Sequence, residues 1–285
     1  MARWRKLGIV AGGGQAPVAL AEHCAATGQA YWVSRIAPFA DPALDAHPGA
    51  SFNIGKMGAR LAALAAENVD AVTMVGAVPR PDFAAVEFDE HGLSMLPKLA
   101  AAARHGDDAL LRVLIDELED AGYLVVGADD ALSELRAPAG ALGAHAPSAR
   151  NREDMIKAAR LAAALGPFDA GQAVCVCDGL VLAIEAQEGT DAMLARVAGL
   201  PVEVRGTTQA RRGVLMKRPK SIQDRRIDLP TIGARTIERA AEAGLAGVAI
   251  EAGGAMILAR ASVIERADAL GLFVYGFRPD EVDAP

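Results

Sequence analysis

Residues 6–27 read KLGIVAGGGQAPVALAEHCAAT: a short apolar run, three glycines and an alanine-rich segment in immediate succession. A run of five is too short for a stable helix and fits a strand buried on both faces. Gly12, Gly13 and Gly14 end it, and Pro17 falls in a first helical turn, where a missing N–H costs nothing. A buried strand leading into a helix reaches its next neighbour by a crossover, so this opening commits the chain to a parallel sheet covered by helices. The pattern repeats. Residues 30–33 read as a strand, 54–58 open an Ala-rich helix to about residue 68, and 71–75 are strand again. A helix is expected over 107–121 and a strand over 123–126.

The periodicity then stops. Residues 137–150, APAGALGAHAPSAR, are rich in Ala, Pro and Gly and read as a linker. A different pattern follows: a helix over 153–165, then strands 173–177 and 180–185 joined at Asp178-Gly179, a strong hairpin signal. A helix over 231–243, with Thr231 as its cap, and strands at 247–250 and 272–275 complete the chain. The expected fold class is α/β: an N-terminal domain with a parallel sheet over 1–136, the linker 137–150, and a mixed α/β C-terminal domain over 151–285. A chain of 285 residues is long enough for two such cores.

Composition narrows the function. The net charge of −7 repels a polyanion, and 4% aromatic residues supply few rings for base stacking, so no nucleic-acid partner is expected. Charge is nonetheless uneven: residues 205–239 hold ten Lys or Arg against three Asp or Glu. A basic segment in an acidic protein fits a compact anion such as a diphosphate. Cys24, Cys175 and Cys177 form neither a disulfide framework nor a zinc set and read as small buried hydrophobes. The basic start followed by apolar residues resembles a signal peptide, but the glycines break the apolar core. No run of 18 apolar residues occurs, and a cytoplasmic location is expected.

Four stretches could carry chemistry. Gly12-Gly13-Gly14-Gln15, between strand and helix, could hold a phosphate on backbone N–H groups. The dinucleotide fingerprint fails, because Pro17 replaces its third glycine and Ser34-Arg35 stand where a ribose-binding acid belongs. His105-Gly106-Asp107-Asp108 reads as the capped start of a helix rather than a metal site. In EAQEGTDAMLAR (185–196), Glu185, Glu188 and Asp191 surround a turn and could hold a hard divalent cation; Thr190 or Asp191 could equally cap a helix. Last, QDRRIDLPTIG (223–233) follows Lys217 and Lys220. In an extended conformation Asp224, Arg226 and Asp228 share one face, and arginine forks match phosphate oxygens. A surface turn with internal salt bridges is the other reading, and the residues alone leave both open.

Six stretches in order, GIVAGGGQAP (8–17), HGDDALL (105–111), DAGQAV (169–174), EGTDAMLAR (188–196), VLMKRPKSIQDRRIDLPTIG (214–233) and AIEAGG (249–254), carry a family resemblance. The sequence resembles the UDP-2,3-diacylglucosamine pyrophosphatases of bacterial lipid A synthesis, of the type unrelated to calcineurin-like phosphoesterases. The resemblance implies a Rossmann-like N-terminal domain, a family-specific C-terminal domain and substrate bound between them. It implies magnesium-dependent hydrolysis to UMP and 2,3-diacylglucosamine 1-phosphate. Gly12, Gly13, Gly14 and Gln15 would lie on the nucleotide side, with Gln172, Thr190, Lys217 and Gln223 also binding substrate. Asp224 would be the essential acid, working with Asp191, Arg225 and Arg226; Asp224, Asp191 and Glu188 would meet the Mg2+. A two-chain lipid product implies transient contact with the inner membrane surface, and a homodimer is the base-rate expectation. A carrier of UDP-lipid without hydrolysis and a nucleotide-sugar transferase or epimerase remain the alternatives.

Overall fold

The computed structural model describes residues 4–79, 82–226 and 228–283. The first three residues of the basic start and Ile227 of QDRRIDLPTIG lie outside them. The chain forms two compact units, residues 1–133 with 226–228, and residues 134–225 with 229–285.

The first unit is the expected parallel α/β layer. Strands β1 (Leu7–Ala11), β2 (Tyr31–Ala37), β3 (Gly49–Asn53), β4 (Ala71–Val75) and β5 (Leu124–Val125) form one sheet in the order β3-β2-β1-β4-β5. All of its pairings are parallel. β1 is buried at every residue, as its apolar run requires. One face is closed by Val10, Trp32, Val72 and Leu64 packed with Ile115 and Leu118. The helix Gln15–Thr27 starts where the glycines release the chain. The helix Asp107–Asp120 begins as expected, but Gly106 is its cap residue and Asp107 and Asp108 lie in the first turn. There they meet the positive end of the helix dipole instead of capping it.

The second unit is mixed. Its strands are β6 (Gly140–Leu142), β7 (Ala173–Cys177), β8 (Leu180–Ile184), β9 (Val214–Lys217), β10 (Thr231–Ile232), β11 (Gly247–Glu251), β12 (Met256–Ile257) and β13 (Phe273–Phe277). Six of them form a sheet in the order β6-β13-β11-β9-β7-β8, and β10 pairs with β12. β9, β11 and β13 run parallel, while β6, β7 and β8 join antiparallel. The hairpin at Asp178-Gly179 is present, with φ of 53° and 79°, the left-handed pair that a two-residue hairpin needs. Asp154 accepts hydrogen bonds from both turn amides, at 3.0 and 2.7 Å. Cys175 and Cys177 are fully buried, and burial pushes the Cys177 thiol up to about 11, as expected of apolar packing.

Two readings change. Thr231 caps no helix: it opens β10, its hydroxyl donates to the Leu229 carbonyl, and the helix runs Ala234–Glu242 behind Gly233. A two-residue strand held by a distant partner leaves no periodicity to read. The aperiodic segment 137–150 likewise contains β6, paired with β13.

Asp89 joins two helices of the first unit, accepting from Gly92 N at 2.7 Å and Ala59 N at 3.0 Å. Burial alone would raise its carboxyl pKa, but these backbone hydrogen bonds hold it below the ordinary value. A depressed folded pKa stabilises above the unfolded value of about 3.9 and is lost as pH falls through the folded one. Asp89→Ala is expected to lower unfolding free energy by about 1 kcal/mol at pH 7. Denaturant titrations should show that gap closing as pH is lowered toward 3; a gap independent of pH would contradict the assignment.

Candidate active site

Sheet register gathers the candidate residues of the second unit at one edge. Lys217 ends β9 opposite Ile250 of β11, and Glu251 ends β11 opposite Phe277 of β13. β7 runs the other way, with Ala173 opposite Lys217, so Gln172 just before it reaches the same edge. β8 returns antiparallel to β7, pairing Ile184 with Val174, and brings Glu185 there as well. Ligands of open α/β sheets bind beyond the carboxyl ends of parallel strands. This edge is therefore where the fold can use a polar group.

Lys217 is 5% exposed. A buried ammonium is tolerated only with acceptors around it. Its Nζ donates to Thr190 Oγ1 at 3.0 Å and to the Thr231 carbonyl at 3.1 Å. Thr190 in turn donates to Glu185 Oε1 at 2.6 Å, and Glu185 Oε2 accepts from Gln172 N at 3.0 Å. Lysine, hydroxyl and carboxylate thus form one chain of charge-assisted hydrogen bonds. The helix Gly189–Ala198 has no side-chain cap, so Thr190 serves the lysine instead.

The loop after β9 is tied down from several sides. Arg218 meets both oxygens of Asp283, at 2.8 and 3.0 Å, and Glu251 at 3.5 Å. The hydrogen bond from Arg218 holds the Asp283 carboxyl below its ordinary value. For Arg218 itself, burial works against the charge, but Asp283 and Glu251 outweigh it and the pKa rises. Lys220 pairs with Asp169 of DAGQAV, both side chains being about nine-tenths buried. Gln223 accepts from Lys220 N at 3.0 Å and reaches Gln172 Oε1 at 3.5 Å. Arg225 donates to Glu251 Oε1 at 2.9 Å. Asp224, half-buried, is set between these last two anchored residues.

Residues 225–226 form a turn, so the shared face expected of Asp224, Arg226 and Asp228 in an extended segment does not form. Arg226 and Asp228 group with the first unit, where Arg226 pairs with Glu119 at 2.6 Å. The three glycines divide. Gly12 N and Gly13 N are taken by the carbonyls of Val75 and Ala77. A Cβ at Gly12 would stand 2.7 Å from the Ala77 oxygen, and one at Gly13 2.8 Å from the Phe39 oxygen. These two are required by close backbone approach, whereas Gly14, with φ of 92°, has open space and leads into exposed Gln15.

The carboxylates named for magnesium do not assemble. Glu188 pairs with Arg196, and Asp191 with Arg235 at 2.8 Å. Among the described residues no three His, Cys, Asp or Glu side chains are placed to hold a metal ion. The set Asp224, Asp191 and Glu188 therefore does not fit a preformed cation cage. Sequence reasoning missed two buried acids with a structural claim on the site, Asp169 and Glu251. The signal for Glu251 was an acid ending an apolar strand, GVAIE, directly before Ala-Gly-Gly.

Residues 6–135 match the family model of the LpxI N-terminal domain, and residues 138–275 that of the LpxI C-terminal domain. The chain is 53% identical over 277 residues to the UDP-2,3-diacylglucosamine pyrophosphatase LpxI of Caulobacter vibrioides (strain ATCC 19089 / CIP 103742 / CB 15). That alignment covers 97% of this chain and 99% of the relative.

Thr190→Val removes the hydroxyl that Lys217 and Glu185 share. It is expected to destabilise the protein by about 1–3 kcal/mol, the cost of leaving buried polar groups short of partners. Thr190→Ser should stay near wild type. Equal stability of the Val and Ser variants in denaturant titrations would contradict the network.

Proposed function

The chain belongs to the LpxI family, and on that premise we propose that it hydrolyses the diphosphate of UDP-2,3-diacylglucosamine, releasing UMP and 2,3-diacylglucosamine 1-phosphate. The observation that carries this reading is the buried Lys217 at the carboxyl edge of β9, with the anchored Gln223–Arg225 segment in the loop that follows. A fixed ammonium and a guanidinium fork are the groups that neutralise diphosphate oxygens, and a site already ordered loses little on binding.

In this reading Lys217 and Arg225 hold the diphosphate while charge builds on the leaving phosphate. Asp224 orients a water and takes its proton as the water oxygen bonds to phosphorus. The anhydride bond breaks, and its electron pair leaves on the departing phosphate. Gln172, Thr190 and Gln223 hold the cations and the loop in place. Arg226, engaged by Glu119, is given no step. No step is routed through magnesium; Glu188 and Asp191 are engaged by Arg196 and Arg235.

In this reading a substrate with two acyl chains is met by transient contact at the cytoplasmic face of the inner membrane. Among the described residues no helix is long and apolar enough to cross a membrane.

Asp224→Ala is expected to lower the rate of UMP release by about 100-fold or more, the usual contribution of a general base, while substrate still binds. A rate near wild type would remove Asp224 from the chemistry. The same assay in excess chelator tests the magnesium dependence inherited from the family resemblance; full activity there removes magnesium from the reading. Wild-type protein that binds the lipid yet releases no UMP with any divalent cation would be a carrier. A nicotinamide absorbance in the purified protein would point to an epimerase.

A further inference from the structure

Glu251 is 2% exposed, ends the central strand β11, and has no part in the steps above. Burying a carboxylate is costly unless well-placed cations meet it. Two do: Arg225 Nη2 at 2.9 Å from Oε1 and Arg218 Nε at 3.5 Å from Oε2. They stand differently. The Arg218 side chain is 12% exposed and is already matched by both oxygens of Asp283. That of Arg225 is 60% exposed, and it pairs with Glu251.

The backbone is shaped around that carboxylate. A Cβ at Gly254 would lie 2.4 Å from Glu251 Oε1, and Gly254 N bonds back to the Glu251 carbonyl at 3.1 Å. AIEAGG is therefore a strand end, a buried acid and a glycine that leaves room for it. With so little room, the side chain presents Oε1 to Arg225 in one direction.

We infer that Glu251 is a positioning residue for the hydrolysis proposed above: it holds one edge of the Arg225 guanidinium so that the opposite edge faces the diphosphate. The inference rests on the hydrolase reading. An untethered arginine in a turn must give up rotamer freedom when phosphate binds, whereas a tethered fork is already aimed. The gain falls on the reaction step, because small misplacements of a charge-stabilising group act mainly on the rate.

The experiment measures kcat and KM for UMP release in Glu251→Gln, Arg225→Gln and the double variant, with thermal unfolding of each. Glu251→Gln is expected to lose about 10- to 100-fold in kcat with a smaller change in KM. The double variant should be no worse than Arg225→Gln alone. Glu251→Asp, which keeps the charge but draws it back, should not rescue the rate. Wild-type kinetics in Glu251→Gln, or losses that multiply in the double variant, would overturn the inference. So would a cycle in which Arg218→Gln, not Arg225→Gln, absorbs the effect. Should Glu251→Gln fail to fold, Gly254→Ala displaces the carboxylate without removing it, and the same cycle with Arg225→Gln decides. Wild-type enzyme that releases no UMP would instead sink the hydrolase reading; an active wild type with an indifferent Glu251→Gln sinks this inference alone.

Discussion

A buried ammonium at the end of a central strand needs acceptors, and that need organises the second unit. Lys217 finds them in Thr190 and in the Thr231 carbonyl. Thr190 accepts from Lys217 while its hydroxyl donates to Glu185, and Glu185 is held in turn by the Gln172 backbone amide. Gln172 and Glu185 flank the two strands of one hairpin, brought to the same edge by its antiparallel register. The Asp178-Gly179 turn at the far end of that hairpin therefore helps to place the site. Local turn chemistry, sheet register and the charge network form one construction.

The same accounting separates a site from a charged surface turn. Exposed ion pairs contribute about 0–1 kcal/mol and call for no special architecture. Around Lys220–Arg225 the acceptors are not exposed: Glu251 is buried, and the Asp169 side chain is nearly so. Burying acids to hold a loop is costly, and sheet ends are where such placement gives a ligand a fixed field. Arg218, held by Asp283, locks the start of the loop, so Arg225 and Asp224 are presented from a constrained base.

Much of the fold was legible because its signals are local. Glycines after an apolar run, a proline in a first turn and Asp-Gly between strands each act within a few residues. They marked β1, the first helix and the β7–β8 hairpin correctly. β6, β10 and β12 were not legible, since two or three residues paired to distant partners carry no period. The site was half legible. Thr190 and Lys217 are hydrogen-bonded, Gln223 reaches Gln172 and Arg225 meets Glu251, but a sequence does not say which amide or acid each will find. Thr190 read as a possible cap because a hydroxyl before a helix usually is one. Gly12 and Gly13 read as a phosphate cradle, although Val75 and Ala77 use their amides. Glu188 and Asp191 stood together as ligand candidates, yet Glu188 pairs with Arg196 of the same stretch and Asp191 with the distant Arg235.

The central claim is that the buried Lys217 ammonium, which helps to organise the fold, also meets the diphosphate. Lys217→Met keeps most of the volume and removes the ammonium, so kinetics and stability can be read on one variant. Removing one member of a buried charged network is costly, so Lys217→Met is expected to lower the unfolding midpoint, and activity is read at a temperature where the variant is folded. The kcat for UMP release should fall by about 100-fold or more, as for loss of a single charge-stabilising donor. Hydrolysis within a few-fold of wild type in a folded Lys217→Met enzyme would contradict the account.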